Sequence, residues 1–106
     1  MEQIDALKVK ELIDTGNVTI IDIQDVDSFN QAHIEYAIHV YNENLEEFVK
    51  NTDKDKPLIC YCYHGVSSQN AALYFHNAGF KIVYSMIGGF ENWREVYPTV
   101  SQDQIG

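Results

Sequence analysis

Short apolar segments rich in β-branched and aromatic residues recur along the chain and alternate with longer stretches of mixed character. Each segment is bounded by Asp, Asn, Gly or Pro, a pattern typical of buried β-strands. A further short strand is expected near Ile4, at the edge of the sheet. The four segments predicted as strands cover residues 18–23, 37–41, 58–62 and 82–86.

The stretches between these segments carry apolar residues at helical spacing, preceded by residues that can cap a helix. In the longest stretch, Ala71, Ala72, Phe75 and Ala78 lie on one face of a predicted helix that ends at Gly79. The predicted helices are one before Gly16, one after Asp25 or Asp27, one after Asn42 or Asn44, one from Ser67 or Ser68, and one over residues 90–96 before Pro98.

The alternation of strands and helices predicts an α/β fold with a mostly parallel central sheet of about five strands and helices on both faces. Ligands bind beyond the carboxyl ends of the strands in such folds. We therefore expect the loops after Ile23, Cys62 and Met86 to share one edge of the sheet. The loop after Met86 carries Gly88-Gly89, which permits a tight turn into the last helix.

The length of 106 residues and the cysteine content both fit one reduced domain. We expect a single domain over residues 1–106, with a core over about 4–98 and a C-terminal tail over 99–106. A disulfide between Cys60 and Cys62 would be strained and would close almost no loop, so free thiols are expected. Two neighbouring cysteines also supply too few ligands for tetrahedral zinc, and no metal is expected.

The charge of the chain limits its partners. Sixteen acidic residues against seven basic ones give a formal net charge of −9, which disfavours nucleic acid and anionic membranes as partners. No segment approaches the roughly 20 apolar residues that cross a bilayer. The N-terminus also lacks the positive start and apolar run of a signal peptide. We expect a cytoplasmic monomer with no membrane contact.

The segment from Leu58 to Ser68 carries the candidate chemistry, because it runs from a strand through a short loop into a helix. Cys62 falls where the strand ends. If the loop curls around its sulfur, backbone N–H groups form an anion cradle, and the helix dipole adds positive potential. Both effects favour the nucleophilic thiolate. Gly65 permits a tight loop, and Ser67 and Ser68 can cap the helix or donate to a bound anion.

The same region also has structural interpretations. Cys62 could be a core cysteine at a strand end, although the glycine and paired serines before a helix favour a nucleophile. Cys60 is predicted to be a small core residue. His64 could support the thiolate as a cation, carry a proton, or be a solvated loop residue, and Tyr63 could form a pocket wall. Arg94, the only arginine, is interpreted as an ion-pairing surface residue rather than a substrate ligand.

Four motifs, in order along the chain, resemble those of the rhodanese-type sulfurtransferases. The stretch from Cys62 to Ser68 is similar to the active-site loop of that family, and the resemblance extends over about residues 4–98. Each motif alone is weak evidence, whereas the ordered set is specific. The others are Asp22-Ile23-Gln24-Asp25, similar to an Asp-x-Arg element; residues 29–37, similar to a signature with Gly-His-Ile and Gly-Ala; and residues 88–93, similar to Gly-Gly-x-x-x-Trp.

The resemblance implies a fold, a reaction and a set of site residues. The fold is a single rhodanese-like domain. The reaction is a double displacement in which Cys62 takes the sulfane sulfur of thiosulfate as a persulfide and passes it to cyanide or a thiol acceptor. No cofactor is implied. The residues that the resemblance assigns to substrate binding are Tyr63, His64, Gly65, Val66, Ser67 and Ser68.

Three departures from the family pattern bear on the activity. Gln24 stands where the family usually has Arg, so a supporting ion pair is expected to be missing. Ala32 and Tyr36 replace two signature glycines. The loop carries no Lys or Arg, and the net charge of −9 opposes long-range attraction of thiosulfate, which predicts weak substrate affinity.

Two other functions fit part of the pattern. Phosphatases with related loops use Cys-x5-Arg, but the Arg position counted from Cys62 is occupied by Ser68. A persulfide relay module would instead take sulfur from a protein donor and pass it to a protein acceptor. The acidic surface and the missing loop cation favour this second alternative over the phosphatase.

Overall fold

The computed structural model describes residues 2–102 and contains the strands and helices that the sequence predicts. The predicted strand over residues 37–41 is the most shortened, because it lies at an open edge and pairs on one side only. In chain order the elements are β1 (Glu2–Ile4), α1 (Ala6–Thr15), β2 (Thr19–Asp22), α2 (Val26–Gln31), β3 (Ile38–His39), α3 (Leu45–Asn51), β4 (Leu58–Tyr61), α4 (Ser67–Asn77), β5 (Val83–Met86) and α5 (Gly89–Val96).

The strands form one parallel sheet in the order β1-β5-β4-β2-β3. Strand β4 is central, and its neighbours place Ile21 and Ser85 on either side of Cys60. All carboxyl ends therefore meet at one edge, and Cys62 lies there, directly after β4. The predicted α/β fold with a parallel sheet of five strands is confirmed.

Helices cover both faces of the sheet, and each face has its own apolar core. On one face, α1 and α5 pack against Ile59 and Tyr61 of β4. On the other, α3 and α4 pack against Leu58 and Cys60. Alternate side chains of β4 therefore enter different cores, and all four of its residues are buried.

The helix termini decide the alternatives that the sequence leaves open. Asp25, and not Asp27, caps α2 through a side-chain bond to the Ser28 amide. Asn44 precedes α3, but its side-chain oxygen accepts from the Tyr41 amide, so it closes a turn before the helix. The N-cap of α4 is Val66 instead of either predicted serine, because the Ser68 amide is bonded within the loop that precedes α4.

The chain beyond α5 packs against the domain. Val100 forms an isolated antiparallel bridge with His33, and the Gln102 amide donates to the Asn30 carbonyl at 2.9 Å. The first part of the predicted tail over residues 99–106 is thereby attached to α2 and the turn after it, whereas 103–106 lie outside the described residues. Within residues 2–102, no helix is long and apolar enough to cross a membrane.

Candidate active site

The loop between β4 and α4 folds around the sulfur of Cys62. The amide of Gly65 donates to the Cys62 Sγ atom at 3.1 Å, and the amide of Ser68 donates to it at 3.3 Å. The residue retains only 5% of its surface exposed, whereas Tyr63, His64, Val66 and Ser67 along the loop are exposed. The sulfur therefore lies at the base of the loop.

The surroundings of Cys62 favour the thiolate. Burial alone raises the pKa of the thiol, because a charge is poorly solvated there. The hydroxyls of Ser68 and Ser67 and the amides of Ser68 and Gly65 oppose this effect by hydrogen bonding to the sulfur. The hydrogen bonds outweigh burial, and the net pKa of Cys62 lies below its ordinary value. The expected anion cradle is present.

The same arrangement explains why neither predicted serine caps α4. The first amides of a helix need acceptors outside it, and a Ser side chain usually supplies one. Here the Ser68 amide donates to the Cys62 sulfur instead, and Val66 at the N-cap offers no side-chain acceptor. The sulfur takes the place of the capping oxygen, and the N-terminus of an eleven-residue helix points at it.

The N-terminus of α5 orients the loop through two main-chain hydrogen bonds. The amide of Phe90 donates to the Cys62 carbonyl at 2.8 Å, and that of Glu91 donates to the Tyr63 carbonyl at 2.9 Å. These bonds direct the two carbonyls toward α5, while the amides of Gly65 and Ser68 are directed at the sulfur. The sequence predicts a tight turn at Gly88-Gly89 but does not reveal this contact.

Two glycines allow the loop and the start of α5 to approach so closely. Gly65 has φ +86°, and a Cβ atom there would lie 2.8 Å from the Gly88 amide nitrogen. A Cβ atom on Gly89 would lie 2.5 Å from the Tyr63 carbonyl oxygen and 2.6 Å from that of Cys62. No side chain fits at either position without moving backbone.

Beneath the loop lies a pair of buried hydroxyl groups. The Oγ atoms of Ser68 and Ser85 are 2.7 Å apart, and both residues are fully buried. Ser85 lies on β5 and was not among the residues that the sequence singled out. The available signal was a small polar residue within an otherwise apolar strand segment, Val83-Tyr84-Ser85-Met86.

His64 faces α5 and not the sulfur. Its Nδ1 atom lies 2.7 Å from the Glu91 Oε2 atom, and both side chains are more than half exposed. The Tyr63 ring packs edge-on against the His64 ring at a centroid distance of 4.8 Å. Of the open alternatives for His64, the structure supports a solvated loop residue that is held by a surface carboxylate.

Arg94 does not form the ion pair that the sequence favours. Among residues 2–102, no carboxylate lies within 4.0 Å of its guanidinium group, which sits 5.9 Å from the centroid of the Phe90 ring. The side chain instead lines a recess of about 230 Å³ with Tyr63 and Gln24. The recess is also lined by Ser28 and Gln31 of α2.

Cys60 is a core residue, as predicted. It is fully buried in the apolar cluster beneath α4, and burial, followed by the charges of Cys62 and Asp22, raises the pKa of its thiol far above the ordinary value. Cys60 is therefore unreactive, in contrast to Cys62. Within the described chain, no group of three or more His, Cys, Asp and Glu side chains could hold a metal ion.

Comparison with known proteins decides the family. The Rhodanese-like domain family matches residues 5–96. The chain belongs to the rhodanese family. It is 44% identical over 98 residues to a protein named thiosulfate sulfurtransferase GlpE from Coxiella burnetii, with 92% of each chain covered. It is 48% identical to the protein of the same name from Shewanella oneidensis, over 84% of this chain and 91% of the relative.

A solved structure supports the same assignment. The fold is similar to that of a rhodanese-related protein from Thermoplasma volcanium, with a TM-score of 0.80 and 28% sequence identity. The match covers 94% of this chain and 98% of the other. The rhodanese fold that the resemblance implies is thereby confirmed.

Gln24 supplies uncharged hydrogen-bond donors at the position where rhodaneses usually have an arginine. Its Nε2 atom donates to the Asp22 Oδ2 atom at 2.9 Å, and its amide donates to Oδ1 at 2.7 Å. Asp22 is fully buried, and this burial raises the pKa of its carboxyl, although hydrogen bonds from Tyr61 and Gln24 oppose the rise. An amide dipole therefore replaces an ion pair beside the sheet edge.

The two replaced glycines have different consequences. Ala32 has an extended backbone with φ −166°, which any residue adopts without strain. Tyr36 has φ +73°, in the left-handed region that favours glycine, and its side chain is 77% exposed. Tyr36 lies beside residues of α1 and the start of β2, at the amino edge of the sheet. Its strain is therefore remote from Cys62.

Proposed function

We propose that this protein is a thiosulfate sulfurtransferase in which Cys62 is the nucleophile and residues 63–68 bind the substrate. The observation that carries the proposal is the pair of main-chain amides directed at the Cys62 sulfur, at 3.1 and 3.3 Å. The relatives from Coxiella burnetii and Shewanella oneidensis carry this activity in their names and support its assignment to this chain.

The reaction has two displacement steps. In the first, the Cys62 thiolate attacks the outer sulfur of thiosulfate, the S–S bond breaks, and its electron pair leaves with sulfite. A persulfide remains on Cys62. In the second, cyanide or a thiolate acceptor attacks the outer persulfide sulfur, and the Cys62 thiolate leaves with the bonding pair. Ping-pong kinetics follow from this order.

The cradle serves both steps. The anionic end of the persulfide extends from the Cys62 sulfur, which accepts from two loop amides at the N-terminus of α4. Donors that are fixed before the reaction stabilise this charge without rearrangement. Gly65 and Ser68 supply main-chain donors, and Ser67 adds a hydroxyl. Tyr63, His64 and Val66 form the exposed border that the substrate crosses.

The proposed substrate affinity is weak. The loop from Cys62 to Ser68 contains no Lys or Arg, and His64 is engaged by Glu91. Binding of thiosulfate then rests on amides, hydroxyls and a helix dipole, while the net charge of −9 opposes its approach. We expect a KM in the millimolar range, and a micromolar value would contradict this account.

A persulfide relay is the second candidate. It differs from the first in taking sulfur from a protein donor, and the absence of a cation in the loop favours it. Fast transfer between proteins beside slow turnover of thiosulfate would support the relay.

Phosphatase chemistry lacks its required arginine, because Ser68 stands at that position. We also propose a cytoplasmic location, because two free cysteines suit a reducing compartment. A monomeric state and the lack of a cofactor are further parts of the proposal.

The proposal is tested by mass spectrometry of the protein after exposure to thiosulfate. We expect a mass increase of one sulfur atom that maps to Cys62 and is removed by cyanide with release of thiocyanate. Cys62→Ser should abolish both events, whereas the matched variant Cys60→Ala should retain them, because Cys60 is sealed in the core. Equal loss in the two variants would refute the assignment of Cys62.

A further inference from the structure

Ser85 occupies an unusual position for a polar side chain. It lies in the middle of β5, is fully buried, and pairs in register with Cys60 on β4. Its hydroxyl lies 2.7 Å from the Ser68 hydroxyl on the first turn of α4. A buried hydroxyl is retained at little cost only when it is hydrogen-bonded, and Ser68 is the side-chain partner of Ser85.

The number of protons fixes the direction of this contact. Each serine hydroxyl has one proton to donate and two lone pairs that accept. Ser68 can donate its hydroxyl proton either to the Ser85 oxygen or to the Cys62 sulfur, from which its own main-chain amide lies 3.3 Å away. The Ser68 hydroxyl is also among the groups that lower the pKa of Cys62. Both contacts of Ser68 are made at once only if Ser85 donates to Ser68 and Ser68 donates to Cys62.

We propose that Ser85 is a positioning residue for sulfur transfer, because its hydroxyl donates to Ser68 and so directs the single proton of Ser68 at the Cys62 sulfur. This inference rests on the proposed role of Cys62 as nucleophile. Hydrogen bonds in such a chain polarise one another, so the Ser85 bond also strengthens the bond to the thiolate. The same donor assists the second displacement, in which the Cys62 thiolate is the leaving group.

Without Ser85, the Ser68 hydroxyl loses the partner that fixes its rotation. We expect Ser85→Ala to raise the pKa of Cys62 by about 0.5 to 1 unit, since part of one charge-assisted hydrogen bond is lost. At pH values below the pKa of Cys62, the rate of persulfide formation should fall by about threefold to tenfold through the smaller thiolate fraction. The pKa is measured from the ultraviolet absorbance of the thiolate or from the pH dependence of alkylation.

Matched variants separate this role from a packing effect. Cys60→Ala truncates the register partner of Ser85 at equal burial but leaves Ser68 untouched, so it should not move the pKa of Cys62. Ser85→Thr and Ser85→Val have the same shape and differ only in the hydroxyl. Thr should keep the pKa of the parent protein and Val should raise it, even if both lower stability by the same amount.

A double-mutant cycle tests the order of the chain. In the Ser68→Ala background, Ser85→Ala should have no further effect on the pKa of Cys62, because the connecting hydroxyl is gone. All variants of the cycle retain the titratable neighbours Cys60, Asp22 and His64. A pKa that rises with Ser68→Ala but not with Ser85→Ala or Ser85→Val would overturn the inference, as would equal shifts in Thr and Val.

Failure of this inference is distinguishable from failure of the proposed function. The titration measures the Cys62 thiol without turnover, whereas persulfide formation measures the function. A protein that forms the Cys62 persulfide while its thiol is indifferent to Ser85 refutes the positioning role alone. A protein that never forms the persulfide refutes the function on which it rests.

Discussion

The contact between the start of α5 and the active-site loop predicts the effect of one added methyl group. In Gly89→Ala, the new Cβ atom would lie 2.5 Å from the Tyr63 oxygen and 2.6 Å from both the Cys62 oxygen and the Gly65 nitrogen. Ordinary contacts begin near 3.4 Å, so the backbone of the loop or of α5 must move by about 1 Å. All three neighbours are main-chain atoms, which cannot rotate out of the way as a side chain can.

This displacement is large compared with the tolerance of the cradle. The Gly65 amide lies 3.1 Å from the Cys62 sulfur, and a shift of about 1 Å would break that bond. A hydrogen bond to a charged group contributes about 1.5–3 kcal/mol. If that stabilisation is lost from the thiolate and the transition state, kcat/KM should fall by about 10-fold to 150-fold.

Gly16→Ala is the matched control for this experiment. Gly89 and Gly16 both have a left-handed backbone, with φ +59° and φ +74°, but a Cβ atom on Gly16 would meet nothing within 4 Å. It carries the strain of a left-handed Ala, about 1 kcal/mol, without the clash and far from the loop. Thiocyanate formation from thiosulfate and cyanide gives kcat/KM, and urea denaturation gives stability. Full activity of Gly89→Ala, or equal loss of activity in Gly16→Ala, would refute the argument.

Two further predictions follow from Cys62 and Tyr36. Hydrogen bonds hold the pKa of Cys62 below its ordinary value, so the midpoint of its alkylation rate against pH should lie below that of a free cysteine thiol in the same assay. A midpoint at or above that of the free thiol would contradict the lowered pKa. Tyr36→Gly should raise the free energy of unfolding by about 0.5–1 kcal/mol in urea denaturation, because Tyr36 has φ +73°, which is strained for any residue but glycine. A lower free energy of unfolding would show that the Tyr36 ring contributes more stability than the backbone strain costs.

Local features of the chain were sufficient to predict the elements that position the site. The apolar segment ending at Cys62 is buried on both faces, and such segments are recognised from β-branched composition and flanking turn residues. The edge strand β3 was predicted over residues 37–41 but forms only at Ile38–His39, because pairing on one side stabilises fewer residues. The length of a strand depends on its neighbours, which lie far away in the sequence.

The prediction for the start of α4 was incomplete for the same reason. Local rules place a serine at the N-cap, and both Ser67 and Ser68 satisfied them. The structure offers the amide of Ser68 a sulfur from the preceding strand and offers its hydroxyl a partner on β5. A capping rule considers acceptors within a few residues and does not include groups that the fold brings near.

The sequence by itself determined the order of strands and helices, the position of Cys62 at a strand end and the glycine-containing loop that follows, because these depend on local periodicity and backbone freedom. Only the tertiary structure decided that the carbonyls of Cys62 and Tyr63 are directed toward α5 and that Ser85 lies beneath Ser68. Both contacts join residues separated by 17 or more positions. The distance and direction of these contacts are set by sheet register and helix packing, about which local sequence patterns carry no information.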